Sequence, residues 1–67
     1  MDIIFNNTSQ QIGDSATVSQ LLQQLIGDKQ KGIAVSVNQT IIPKIRWSEV
    51  TLKQDDNVLV IKATQGG

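Results

Sequence analysis

Residues 58–64 read Val58-Leu59-Val60-Ile61-Lys62-Ala63-Thr64, and the first four of them form the longest unbroken apolar run in the chain. A strand with one face in water alternates apolar and polar side chains, whereas a continuous apolar run belongs to a strand buried on both faces. The stretch therefore predicts a central strand over 58–64. The rest of the chain supplies only one helical pattern, and one helix covers one face of a sheet. The other face is expected to stay partly open or to be covered by another molecule.

The helical pattern lies upstream. Val18, Leu21, Leu22, Leu25 and Ile26 recur at i, i+3, i+4, i+7 and i+8, while Ser19, Gln20, Gln23 and Gln24 fill the opposite side. Thr17 and Gln20 fit a capping box, and Gly27 suits a left-handed helix end. Before the helix, Asp2–Asn6 reads as a strand, Asn6-Asn7-Thr8 as a turn and 9–12 as a more polar return strand. After it, Ile33–Asn38 alternates as a strand, Asn38-Gln39-Thr40 turns, and Ile41-Ile42 leads to Pro43, which suits an edge or a strand end. Trp47 is expected to cap the core with its ring buried and its N–H hydrogen-bonded. Leu52 is expected to plug the core ahead of the turn at 54–57.

The fold that accommodates these elements is α+β: a mixed four- to five-stranded sheet with the main helix packed on one face. The last strand is placed centrally and parallel to the first, because these two are the most apolar. Ile3, Phe5, Val58 and Val60 then face the helix. Ile4, Leu59 and Ile61 share the uncovered face, and form the candidate partner-binding surface.

Composition narrows the function. A chain of 67 residues makes one small domain, which buries about 60% of the surface its unfolded chain exposes and has little room for a deep pocket. Six basic and six acidic residues cancel to zero net charge, so the basic stripe of a nucleic-acid binder is missing. No segment is long and apolar enough to span a membrane as a helix, and Met1-Asp2-Ile3 lacks a basic signal-peptide start. A cytoplasmic location and a monomer are expected. The chain contains no His, Cys or Tyr, which removes the commonest general bases, metal ligands and soft nucleophiles. Gly13, Gly27 and Gly32 stand singly and make no phosphate-binding loop. Asp55 and Asp56 lack the further oxygen ligands that a hard cation needs and read as a solvated turn. The chain is thus expected to be no enzyme and to bind no cofactor or metal itself. Chemistry must come from a partner or from the chain terminus.

The terminus is distinctive. Beyond Ile61 the apolar pattern fades into Lys62-Ala63-Thr64-Gln65-Gly66-Gly67. At average glycine usage a terminal Gly-Gly arises by chance in roughly one chain in 200. Lacking Cβ atoms, such an end can enter a narrow channel in extended form. Residues 63–67 can reach roughly 16–18 Å, enough to carry a carboxylate into another protein's active site. The expected organisation is a domain over 1–62 and a flexible diglycine tail over 63–67.

The order hairpin, helix, strands and Gly66-Gly67 resembles the ubiquitin-like β-grasp proteins. Within them the chain resembles the ThiS-type sulfur carriers of bacterial thiamine biosynthesis, and it does so along essentially its whole length. The matching features are the opening at 1–6, the helix start Thr17-Val18-Ser19-Gln20-Leu21-Leu22, and Ala34-Val35-Ser36-Val37-Asn38. Further along come Ile42-Pro43-Lys44 with Trp47, and Asp56-Asn57-Val58-Leu59-Val60 before the diglycine. The chain departs at Asp55, where relatives often carry glycine, and at Gln65, where some carry a smaller residue. The resemblance implies that a ThiF-type adenylyltransferase uses ATP to adenylate Gly67. Sulfur arriving through a cysteine desulfurase then leaves a thiocarboxylate, which thiazole synthase consumes. Thr64, Gln65, Gly66 and Gly67 would enter the partner's active site. The alternatives sharing this chemistry are a molybdopterin-synthase small subunit, which often carries an aromatic-proline tail segment missing here, and a ubiquitin-like protein modifier.

Overall fold

Asn6 and Asn7 hold φ of +48° and +70°, the paired left-handed conformation of a two-residue type I′ hairpin, whose twist matches that of the strands it joins. They connect β1 (Asp2–Phe5) to β2 (Thr8–Gln11). Asn38 and Gln39, at +50° and +72°, repeat the device between β3 (Ile33–Val37) and β4 (Thr40–Ile42). Asn tolerates this region well; Gln39 adopts it against its own steric preference. The two expected strands that included Asn6 and Asn38 each stop one residue earlier, because these asparagines have already left the extended region. The computed structural model describes residues 1–62.

The five strands form one sheet in the order β2-β1-β5-β3-β4, with β5 spanning Asn57–Lys62. β5 is central, parallel to β1 and antiparallel to β3. This is the placement its apolar run predicts. Its expected end at Thr64 lies outside the described residues. The sheet carries five strands rather than four because Thr40–Ile42, although short, pairs fully with β3.

Helix α1 (Val18–Leu25) packs on one face. Thr17 Oγ1 accepts from the Gln20 amide at 3.1 Å, and Gln20 Oε1 accepts from the Thr17 amide at 2.8 Å, so the capping box is complete. The remaining first-turn donors are satisfied by the segment after β4. The Val18 amide donates to Val50 O at 3.0 Å and the Ser19 amide to Trp47 O at 2.9 Å. No helix-start amide is left to water. Gly27, at φ +71°, ends the helix as expected.

The core joins Ile3, Val18, Leu21, Leu22, Val35, Leu52 and Val58, all at most 2% exposed. Trp47 closes one end, 5% exposed, with its indole N–H donating to Ile42 O at 2.9 Å. The segment after β4 is thus stapled to the helix start and lies on the helix side of the sheet, not over the opposite face. Thr17→Ala is expected to cost about 1 kcal/mol and to lower Tm by about 4–8 °C in a domain of this size. A differential scanning calorimetry trace with Tm unchanged would show that the Val50 and Trp47 carbonyls alone hold the helix start.

Candidate functional site

Along β5 the side chains alternate as the pleat requires. Val58 is fully buried under the helix, Leu59 is 39% exposed and Ile61 63% exposed. Leu59 and Ile61 therefore lie on the face that α1 does not cover, as the sequence predicts. Val60 points to the helix side but is only half-buried. The sequence places both Val58 and Val60 on the helix side, and of the two only Val58 is fully buried.

The uncovered face is concave for a simple reason. Leu59 stands opposite Ser36, and Ser36 stands opposite Ile41 on β4; Ile61 stands opposite Ala34. Two small residues on β3 are thus flanked by large aliphatic ones on β5 and β4. The result is an open depression of about 230 Å³ lined by Ala34, Val35, Ser36, Gln39, Ile41, Leu59 and Ile61. Ile41 is 71% exposed, and its part in this surface was missed from sequence. The signal was present: Ile42 packs on the core, so its neighbour in a strand must point the other way.

Ile4 shares the face but not the depression. Its register partners are Ser9 on β2 and Asn57 on β5, and it is half-buried. The expectation that Ile4, Leu59 and Ile61 form one adjacent trio is corrected to a patch of Leu59, Ile61 and Ile41, with Ile4 to one side. The reason is register: β1 ends before it reaches the level of Leu59.

The acidic turn is occupied by its own structure. Asp56 Oδ1 accepts from Asn38 Nδ2 at 2.9 Å and Oδ2 from the Lys53 amide at 2.8 Å. Asp55 holds φ +68°, a left-handed geometry that Asp tolerates better than most residues. Among the described residues, no three metal-ligating side chains converge, and no helix is long and apolar enough to cross a membrane. Thr64, Gln65, Gly66 and Gly67, with the rest of the tail expected over 63–67, lie outside the described residues.

Comparison with known proteins agrees along the full length. The sulfur carrier protein ThiS of Escherichia coli (strain K12) is 34% identical over 67 residues, covering 100% of both chains. A crystal structure of a thiamine biosynthesis protein (ThiS) from Geobacter metallireducens superposes with a TM-score of 0.88, covering 100% of both chains at 22% identity, which establishes the common β-grasp fold. The profile described as the ThiS family matches residues 3–67, a span that includes both terminal glycines. A ubiquitin-like fold with a central β5, matched from the first strand to Gly67, makes this chain a member of the ThiS family of sulfur carrier proteins.

Proposed function

We propose that Gly67 is the carrier residue and that the chain has no catalytic activity of its own. A carboxylate is a poor acyl donor until a better leaving group is attached. In this reading a ThiF-type adenylyltransferase binds ATP and joins the Gly67 carboxylate to AMP with release of pyrophosphate. Persulfide sulfur supplied through a cysteine desulfurase then displaces AMP to give an acyl disulfide, and a second thiol of the partner cleaves its S–S bond, forming a disulfide and releasing the thiocarboxylate. The resulting thiocarboxylate donates its sulfur to thiazole synthase for the thiazole of thiamine. Gly66 keeps the approach narrow, and Thr64 and Gln65 share the channel with it. The supporting observation is the family match that continues to Gly67 on a chain without a cysteine to hold sulfur in any other way.

The depression formed by Leu59, Ile61 and Ile41, flanked by Ile4, is the proposed docking surface for the adenylyltransferase. It lies on the strand that leads into the tail, so a partner seated there receives Gly67 within reach. The test is intact-mass analysis after incubation with the adenylyltransferase, ATP and a sulfur donor. Exchange of one oxygen for sulfur is expected. An unchanged mass under conditions that modify the Escherichia coli relative would overturn the assignment.

A further inference from the structure

The central strand of this sheet becomes an edge strand over its last residues. The Ile4 amide donates to Asp56 O at 2.8 Å and the Asn6 amide to Val58 O at 2.9 Å. By strand alternation, residues 58, 60 and 62 of β5 turn their backbone groups toward β1, and residues 57, 59 and 61 turn theirs toward β3. β1 then stops. Asn6 and Asn7 reverse the chain into β2, and the next donor on β5 has no strand carbonyl to meet. Its partner is a side chain instead: the Val60 amide donates to Asn6 Oδ1 at 2.7 Å.

Beyond that point, among the described residues, nothing pairs with Val60 O or the Lys62 amide. β3 continues on the other side as far as Ile33, opposite Lys62, so β5 stays extended while its β1 side is open. The exposure of Val60 is consistent with this: it has lost the neighbouring strand that keeps Val58 buried. Proteins blunt open edges with proline, bulges, very short strands or charges, lysine above all, and of these the open stretch has its shortness and one lysine. Here the only charged side chain on the open stretch is Lys62, at its end.

We propose that this edge, Val60 to Lys62, is a strand-addition site for an extended segment of the adenylyltransferase. The inference rests on the sulfur-carrier reading. Backbone pairing of this kind supplies affinity without side-chain specificity. The five residues 63–67 that follow Lys62 span roughly 16–18 Å at most. An enzyme acting on the Gly67 carboxylate must therefore stand within that distance of the open edge. The added strand accepts from the Lys62 amide and donates to Val60 O. It continues the sheet where β1 leaves off and holds the exit of the tail straight.

A 67-residue chain is accessible to total synthesis, which permits a backbone test. Replacing the Ile61–Lys62 amide by an ester removes the Lys62 N–H and keeps every side chain. The ester chain is expected to bind the adenylyltransferase about tenfold more weakly, the effect of one interfacial hydrogen bond. Lys62→Ala is expected to bind within about threefold of wild type. Binding of the ester chain within about threefold of wild type overturns the proposal. Should the ester chain not fold, amide exchange of the wild-type chain decides. The Lys62 amide is expected to exchange quickly alone and at least about tenfold more slowly in the complex, and an unchanged rate overturns the proposal. A wild-type dimer in sedimentation that the ester abolishes assigns the edge to a second copy and overturns the assignment to the enzyme. Wild-type chain that is not adenylated at all sinks the sulfur-carrier reading itself, which separates that failure from failure of the edge.

Discussion

A chain lacking Gly67 is expected to lose the oxygen-to-sulfur exchange completely while keeping the circular dichroism spectrum of wild type. The loss is complete because no cysteine is present to accept sulfur by another route. Ending the chain at Gly66 leaves a carboxylate, but one residue short of the position where ATP is held. Geometry at that scale matters, since a displacement of about 1 Å can cost about a hundredfold in rate. The fold is spared because Val58, the last residue of the buried core, lies nine positions before Gly67. Gly66→Val is expected to act in the same direction, with adenylation impaired far more than Tm, because a β-branched side chain blocks a narrow channel without touching the core. Mass gain persisting in the truncated chain would show that the terminal carboxylate is not the carrier.

The second large effect separates two neighbours on one strand. Val58→Asp is expected to unfold the domain. Val58 is fully buried, and an unpaired carboxylate there costs several kcal/mol even after relaxation, against a total stability of about 3–10 kcal/mol for 67 residues. Leu59→Asp is expected to leave the fold intact, because Leu59 opens onto the depression, and to weaken binding to the adenylyltransferase. Val60→Asp falls between them, since Val60 is only half-buried. The readouts are a urea titration and an equilibrium binding measurement. If Leu59→Asp unfolds the domain as badly as Val58→Asp, the two faces have been assigned wrongly; if it binds normally, the depression is not the docking surface.

The central place of β5 beside β1 was legible because a continuous apolar run such as Val58–Ile61 is typical of a strand with neighbours on both sides, even though Leu59 and Ile61 stay exposed on the uncovered face. The helix, its Thr17–Gln20 cap and the Gly27 end are local signals, and local signals survive in one dimension. The sulfur-carrier assignment came from the diglycine end and the family resemblance, not from periodicity. The parts that escaped depend on registers between distant segments. The Asn6–Val60 hydrogen bond spans 54 positions. Ile41 belongs to the depression only because β3 places Ser36 between it and Leu59. The shortfall in Val60 burial follows from where β1 stops, which the alternation of β5 does not encode.

The position of β5 also governs the order in which this protein can be assembled during translation. The strand that joins the two halves of the sheet, pairing with β1 on one side and β3 on the other, is the last element to leave the ribosome. Until it emerges, the nascent chain has only two separate hairpins and an amphipathic helix with no sheet to cover, each marginal in water. Contacts between β1 and β5 close a loop of more than fifty residues, a separation that slows folding. Synthesis aborted before Asn57 therefore yields no native sheet at all. Such a truncated product leaves the apolar faces of its two hairpins and helix without a common sheet to bury them.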